Sequence, residues 1–237
     1  MQDLRSALDE PTVPVAIDFS PPGRALLVAF GGIAGALGMP PFEFFKLSAD
    51  LDCKRIFVRD LRQAWYHEGL PGISEDLPGI ARFLRARMQE SRAERFVFVG
   101  NSMGGYAAIL LGALAGAHAV HAISPQTFID RWRRLLFWDR RWRREIARVH
   151  ALPQARWDVF DLRGALPRLP AVPQIELHYS SQSRIDSLHA RRMRGAPGVT
   201  LHPHGEGGHQ VVARLRDTGA LRSLLVRALE SPSSARP

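Results

Sequence analysis

One stretch constrains this chain more than any other: the apolar run Arg95-Phe96-Val97-Phe98-Val99, followed at once by Gly100-Asn101-Ser102-Met103-Gly104-Gly105. It reads as a strand that ends in a G-x-S-x-G turn. The serine of such a turn needs a cramped backbone, and glycine on either side lets the strand and the next helix approach without a clash. The residues from Tyr106 to Leu114 are helix-compatible, so strand, tight turn and helix come in the order a nucleophile elbow requires.

Around this unit, short β-type runs alternate with helical stretches, the pattern of a mostly parallel sheet covered on both faces. Strands are expected at Val13 to Asp18, Ala25 to Phe30, Arg55 to Arg59, Arg95 to Val99, Ala119 to Ile123, Gln174 to Tyr179 and Val199 to His202. Helices are expected at Glu75 to Gln89, Met103 to Ala117, Ile185 to Met193 and His209 to Glu230. Pro78 falls in a first turn, where a missing N–H is tolerated. The span from Gln126 to Pro173 breaks the alternation and is too long for an ordinary crossover, so it reads as an inserted cap. Its Trp132, Leu135, Leu136 and Trp142 are spaced to share a helical face packed on the core, with arginines on the other.

A length of 237 residues allows one sizeable core, and 46% hydrophobic with 23% charged residues is ordinary globular composition. No apolar run reaches the length of a membrane span, and Met1-Gln2-Asp3-Leu4-Arg5 lacks the layout of a secretory signal. The single cysteine, Cys53, excludes an internal disulfide framework and agrees with a reducing compartment, so a cytoplasmic protein is expected. The net charge of +9 is carried almost wholly by arginine, since Lys46 and Lys54 are the only lysines. Such a balance attracts anionic substrates and surfaces, here through the arginine-rich cap; nucleic acid is not expected as a partner.

A serine hydroxyl attacks only when a base takes its proton and an acid holds that base. His209, in Gly207-Gly208-His209, follows the last strand and precedes the last helix, a loop position suited to the base. Asp186 stands just beyond the strand Gln174 to Tyr179 and is the candidate acid, with Asp158 and Asp161 as substitutes. The order Ser102, Asp186, His209 is one of the known triad orders. Ser102 and Asp186 each have a plainer reading as helix caps. Donors for a developing oxyanion are expected from the glycine loop Phe30-Gly31-Gly32-Ile33-Ala34-Gly35, through the N–H of Gly32, together with the N–H of Met103.

On the elbow, the Phe30 to Gly35 loop, Asp186 and the Gly208-His209 turn, the chain resembles the α/β-hydrolase superfamily from about Val13 to Leu229. The resemblance implies an α/β fold with one domain over residues 1–230, a cap at about 126–173 and a flexible tail at 231–237. It implies a serine esterase or thioesterase with Ser102 as nucleophile, His209 as base and Asp186 as orienter, acting on a small-molecule or acyl-carrier-type ester or thioester. An acyltransferase, or a non-catalytic binding protein with a basic cap, are the rival readings. Asn101 and Phe30 depart from common family patterns, which sets the chain outside the best-known esterase subgroups.

Ile33, Trp65, Tyr66, His67 and Gln126 are candidates for the substrate pocket, because they follow strands whose ends bind ligands in open sheets. For Trp65 to His67 the plain alternative is packed aromatics beside an Arg59–Asp60 pair. The run His202-Pro203-His204-Gly205-Glu206 carries ligand types without a metal signature, and no metal is expected. The glycine spacing at Gly32, Gly35 and Gly38 is not that of a dinucleotide site and no cofactor is expected.

Overall fold

A computed structural model describes residues 10–33, 44–206 and 208–231. Seven strands form one sheet: β1 (Val15–Asp18), β2 (Ala25–Phe30), β3 (Lys54–Val58), β4 (Arg95–Asn101), β5 (Ala119–Ile123), β6 (Gln174–Ser180) and β7 (Val199–His204). Their order across the sheet is β1-β3-β2-β4-β5-β6-β7, and only the β1–β3 pairing is antiparallel. The expected α/β class and mostly parallel sheet are therefore present, with boundaries shifted by a few residues.

Register brings the functional segments together. Phe30 lies opposite Gly100, Asn101 opposite Ile123, and Ser180 opposite His204. With Val58 of β3 also opposite Phe30, six parallel strands end on one edge, and the loops that leave them meet there. β2 is buried along its whole length because each face of the sheet is covered. Leu26, Val28 and Phe30 face α2 (Leu77–Glu90) and α3 (Met103–Ala115), while Leu27 and Ala29 face α8 (Val211–Asp217) and α9 (Ala220–Glu230). Cys53 is buried with that second group, and burial pushes its thiol up to about 11.

Local chemistry explains the helix boundaries. Asp76 caps α2 by accepting from Gly79 N–H at 2.7 Å, with Pro78 in the first turn. The helix expected from His209 through Glu230 is instead three pieces: a 3₁₀ turn at Gly208–Gln210, α8 and α9. Gly219 breaks it at φ +73°, a left-handed conformation that glycine adopts without strain. Between these and the N-terminal strands, α1 (Phe45–Ser48) precedes β3 and α7 (Arg184–Arg192) follows β6.

The excursion between β5 and β6 holds α4 (Arg131–Leu136), α5 (Arg143–Ala151) and α6 (Leu162–Ala165), with 3₁₀ turns at Trp157–Val159 and Leu166–Arg168. Here the expected amphipathic arrangement is reversed. Trp132, Leu135 and Leu136 are exposed and Arg134 is buried, because Arg134 is drawn inward by Asp139 and by the Arg141 carbonyl. Trp142 alone of the four packs against the core. Ala34, Gly35, Gly38, Gly207 and the tail beyond Ser231 lie outside the described residues.

Candidate active site

Ser102 sits between β4 and α3 with φ 53° and ψ −115°, a backbone region that L-residues rarely enter. Three backbone hydrogen bonds fix it there. Its N–H donates to Ile123 O at 2.9 Å, and its carbonyl accepts from Tyr106 N–H at 3.1 Å and Gln126 N–H at 3.3 Å. The flanking glycines are sterically required: a Cβ on Gly100 would stand 2.1 Å from Gly104 O, and one on Gly104 would stand 2.3 Å from Phe30 O. The Ser102 hydroxyl does not cap α3, which removes the plainer reading of this residue as a helix cap.

Asp186 and His209 meet across the strand ends. Nδ1 of His209 lies 2.9 Å from both carboxylate oxygens of Asp186, so the ring donates there and its Nε2 is left as the acceptor. Asp186 is buried in the first turn of α7, whose cap is Ser183. Burial by itself would raise its pKa, but the hydrogen bond from His209 and the charges of His209 and Arg141 hold it below the usual carboxylate range. The two substitute acids are engaged elsewhere, Asp158 with Arg156 and Asp161 with Arg133 and Arg192.

Arg141 was not foreseen. It comes from the β5–β6 excursion, donates to Asp186 Oδ1 at 3.0 Å, and grips Asp139 through Nε at 3.0 Å and Nη2 at 3.1 Å. Asp139 in turn accepts from His189 Nε2 at 3.0 Å. His189 Nδ1 accepts from Thr127 N–H at 3.0 Å, so the ring is the Nε2–H tautomer, and burial pushes its pKa down to about 4. Asp139, despite its burial, is held well below the ordinary range by His189 and Arg141. Two buried carboxylates therefore share one guanidinium, and each carries its own histidine.

The glycine loop after β2 is tied down from the adjoining strand. Gly31 donates its N–H to Val58 O at 2.8 Å and accepts at its carbonyl from the Tyr66 hydroxyl at 3.0 Å. Among the described residues no hydrogen bond uses the Gly32 N–H, and Met103 N–H precedes the first bond of α3. Trp65, Tyr66 and His67 are fully buried. Trp65 Nε1 donates to Gln126 Oε1 at 2.9 Å, and His67 Nε2 donates to the Tyr106 hydroxyl at 3.1 Å. Trp65 and Tyr66 have φ of 51° and 65°, held by Asp60, which accepts from the N–H groups of Arg62, Ala64 and Tyr66. No ion pair joins Arg59 to Asp60 among the described residues; Arg59 donates to the carbonyls of Val13 and Glu10 instead. Gln126 Nε2 is buried without a partner among the described residues, and Ile33 is half-buried against the core.

No protein-family model matches the sequence, and no curated protein matches it. Solved structures do. The capsule O-acetyltransferase of Neisseria meningitidis serogroup A aligns with a TM-score of 0.64 over 88% of this chain and 90% of its own, at 13% identity. Est1E from Butyrivibrio proteoclasticus aligns at 0.57 over 91% and 93%, with 9% identity. The chain has the α/β-hydrolase fold. The type II thioesterase BorB from the borrelidin biosynthetic cluster shares it at a TM-score of 0.54, covering 92% of this chain and 98% of its own at 16% identity.

Within this α/β-hydrolase fold a second cluster of histidines lies on the face away from α3. His121 stacks on His178 at 5.8 Å, and His178 stacks on His202 at 4.8 Å and His204 at 5.6 Å. Nδ1 of His121 and Nε2 of His178 are buried with no hydrogen-bond partner among the described residues. Burial, followed by the charges of neighbouring histidines and arginines, pushes His121 down to about 3 and His178 to about 2, so both rings are neutral. Among the described residues no group of three or more His, Cys, Asp or Glu is arranged to hold a metal ion.

Proposed function

We propose that this protein is a serine hydrolase that cleaves a carboxylic ester or thioester through an acyl-enzyme on Ser102. One observation carries the reading: a serine held at φ 53° at the strand edge where a histidine, 2.9 Å from a buried carboxylate, also lies. His209 Nε2 takes the Ser102 hydroxyl proton as Oγ attacks the acyl carbon. The carbonyl electrons move onto oxygen, which the N–H groups of Gly32 and Met103 stabilise. His209 then returns the proton to the departing oxygen or sulfur, and water repeats the sequence to release the acid. Asp186 orients the imidazole, Arg141 steadies Asp186, and Tyr66 steadies the glycine loop through Gly31. Gln126 and Ile33 border the acyl site, and the β5–β6 excursion serves as a cap on a single domain in a cytoplasmic protein.

An O-acetyltransferase among the structural neighbours supports one variant of this chemistry, in which a hydroxyl acceptor replaces water at the acyl-enzyme. Labelling with a fluorophosphonate probe tests the shared part. Wild type should be labelled and Ser102→Ala should not; folded wild type that stays unlabelled, or labelling that persists in the variant, refutes the assignment. A screen of short and long acyl esters and thioesters, with and without an added alcohol, separates hydrolysis from transfer.

A further inference from the structure

Exposed large apolar side chains are concentrated in one place. Trp132 is 81% exposed, Leu135 and Leu136 are 70%, and Trp138 is 64%, all within seven residues of the β5–β6 excursion. Large exposed apolar clusters of this kind mark interaction surfaces, since water contact costs each group the stabilisation that burial elsewhere would bring. The exposed charged residues from Arg131 to Arg144 are all arginines, while Asp130 and Asp139, the latter on the wall of the neighbouring cleft, are held in ion pairs with Arg133, Arg134 and Arg141, and Glu145 is half-buried. Arg140, Arg143 and Arg144 are exposed and have no acidic partner among the described residues, and the Arg140 guanidinium lies 4.6 Å from the Trp138 ring. Between α4 and α5 opens a cleft of about 320 Å³ whose walls include Arg131, Leu135, Trp138 and Arg143.

We infer that this surface docks the protein onto an anionic lipid bilayer. Tryptophan and leucine suit the boundary between headgroups and acyl chains, where an indole keeps its N–H wet while its rings leave water. Guanidinium groups bind phosphate oxygens in a fork, so the arginines beside the patch, and the cleft between the helices, match the headgroups that such insertion would meet. A net charge of +9 adds a long-range attraction to an extended field of negative charge. No helix among the described residues is long and apolar enough to cross a membrane, so the contact made here is peripheral. The inference stands independently of the reaction at Ser102.

Co-sedimentation with vesicles tests it. Wild type should pellet with phosphatidylcholine vesicles containing roughly one-third phosphatidylglycerol and remain in the supernatant with pure phosphatidylcholine. Trp132→Ala with Trp138→Ala should weaken binding by about tenfold or more, and Arg140→Gln with Arg143→Gln by about fivefold per arginine. Brominated lipid should quench wild-type tryptophan fluorescence, a readout that needs no variant. The inference fails if wild type does not pellet, if it pellets equally with both vesicles, if the double tryptophan variant binds as wild type, or if brominated lipid quenches nothing. Failure to pellet, with capture by an acidic protein instead, would make the patch a protein interface.

Discussion

Replacing His178 by glutamine should flatten the pH dependence of stability. His178 is 4% exposed, and burial, reinforced by the charges of His121, His202, His204 and Arg227, pushes its pKa down to about 2. In the unfolded chain a histidine titrates at about 6.5. As pH falls below that value the unfolded state takes up a proton that the folded state refuses, so stability is complete above it and drains away in acid. At about pH 5 the loss is roughly 1.5 pH units at about 1.4 kcal/mol each, or about 2 kcal/mol. The folded value drops out of this sum because it lies far below the pH of measurement. His121, pushed to about 3 by burial first and by the charges of His202 and Arg95 next, contributes a comparable loss. Urea unfolding at neutrality and at about pH 5, followed by tryptophan fluorescence, reads the effect. Relative to wild type, His178→Gln should lose about 2 kcal/mol less over that interval, whatever its stability at neutrality. Equal losses in the two proteins would mean that His178 is charged in the folded state, and the burial argument would be wrong.

Gly104→Ala should destabilise the fold by about 3 kcal/mol or more and abolish probe labelling, since its Cβ would press on Phe30 O at 2.3 Å; near-native thermal melting would refute the steric account. Arg141→Met should lower kcat by about tenfold or more with little change in KM, because it leaves Asp186 and Asp139 without their shared guanidinium, and Arg141→Lys should recover part of the loss. A KM effect with unchanged kcat would move Arg141 from positioning the acid to binding substrate.

What could be read from the sequence was local or ordered along the chain. The elbow is six contiguous residues with a strand before and a helix after, and Asp186 and His209 stand just past the strands that place them. The sheet was legible for the same reason, since runs such as Ala25–Phe30 and Ala119–Ile123 are short, apolar and bounded by turns. Arg141 was not, because nothing in a run of tryptophans and arginines says which guanidinium will cross 45 residues to a carboxylate. The helical wheel over Trp132 to Leu136 assumed that apolar residues face inward. Asp139 overrode that by pairing with the buried Arg134. The left-handed turn at Trp65 and Tyr66 was equally hidden, because it depends on one buried carboxylate collecting three backbone N–H groups.

The guanidinium shared by Asp139 and Asp186 limits how modular this protein can be. Loops above an α/β sheet are natural targets for exchange when a new substrate range is wanted, since the chemistry stays with the strands. Here a graft that replaced residues around Arg141 would also withdraw the countercharge beside the buried Asp186 carboxylate proposed to orient His209. Specificity and turnover would then change together, and a successful graft would have to bring its own cation to the same place.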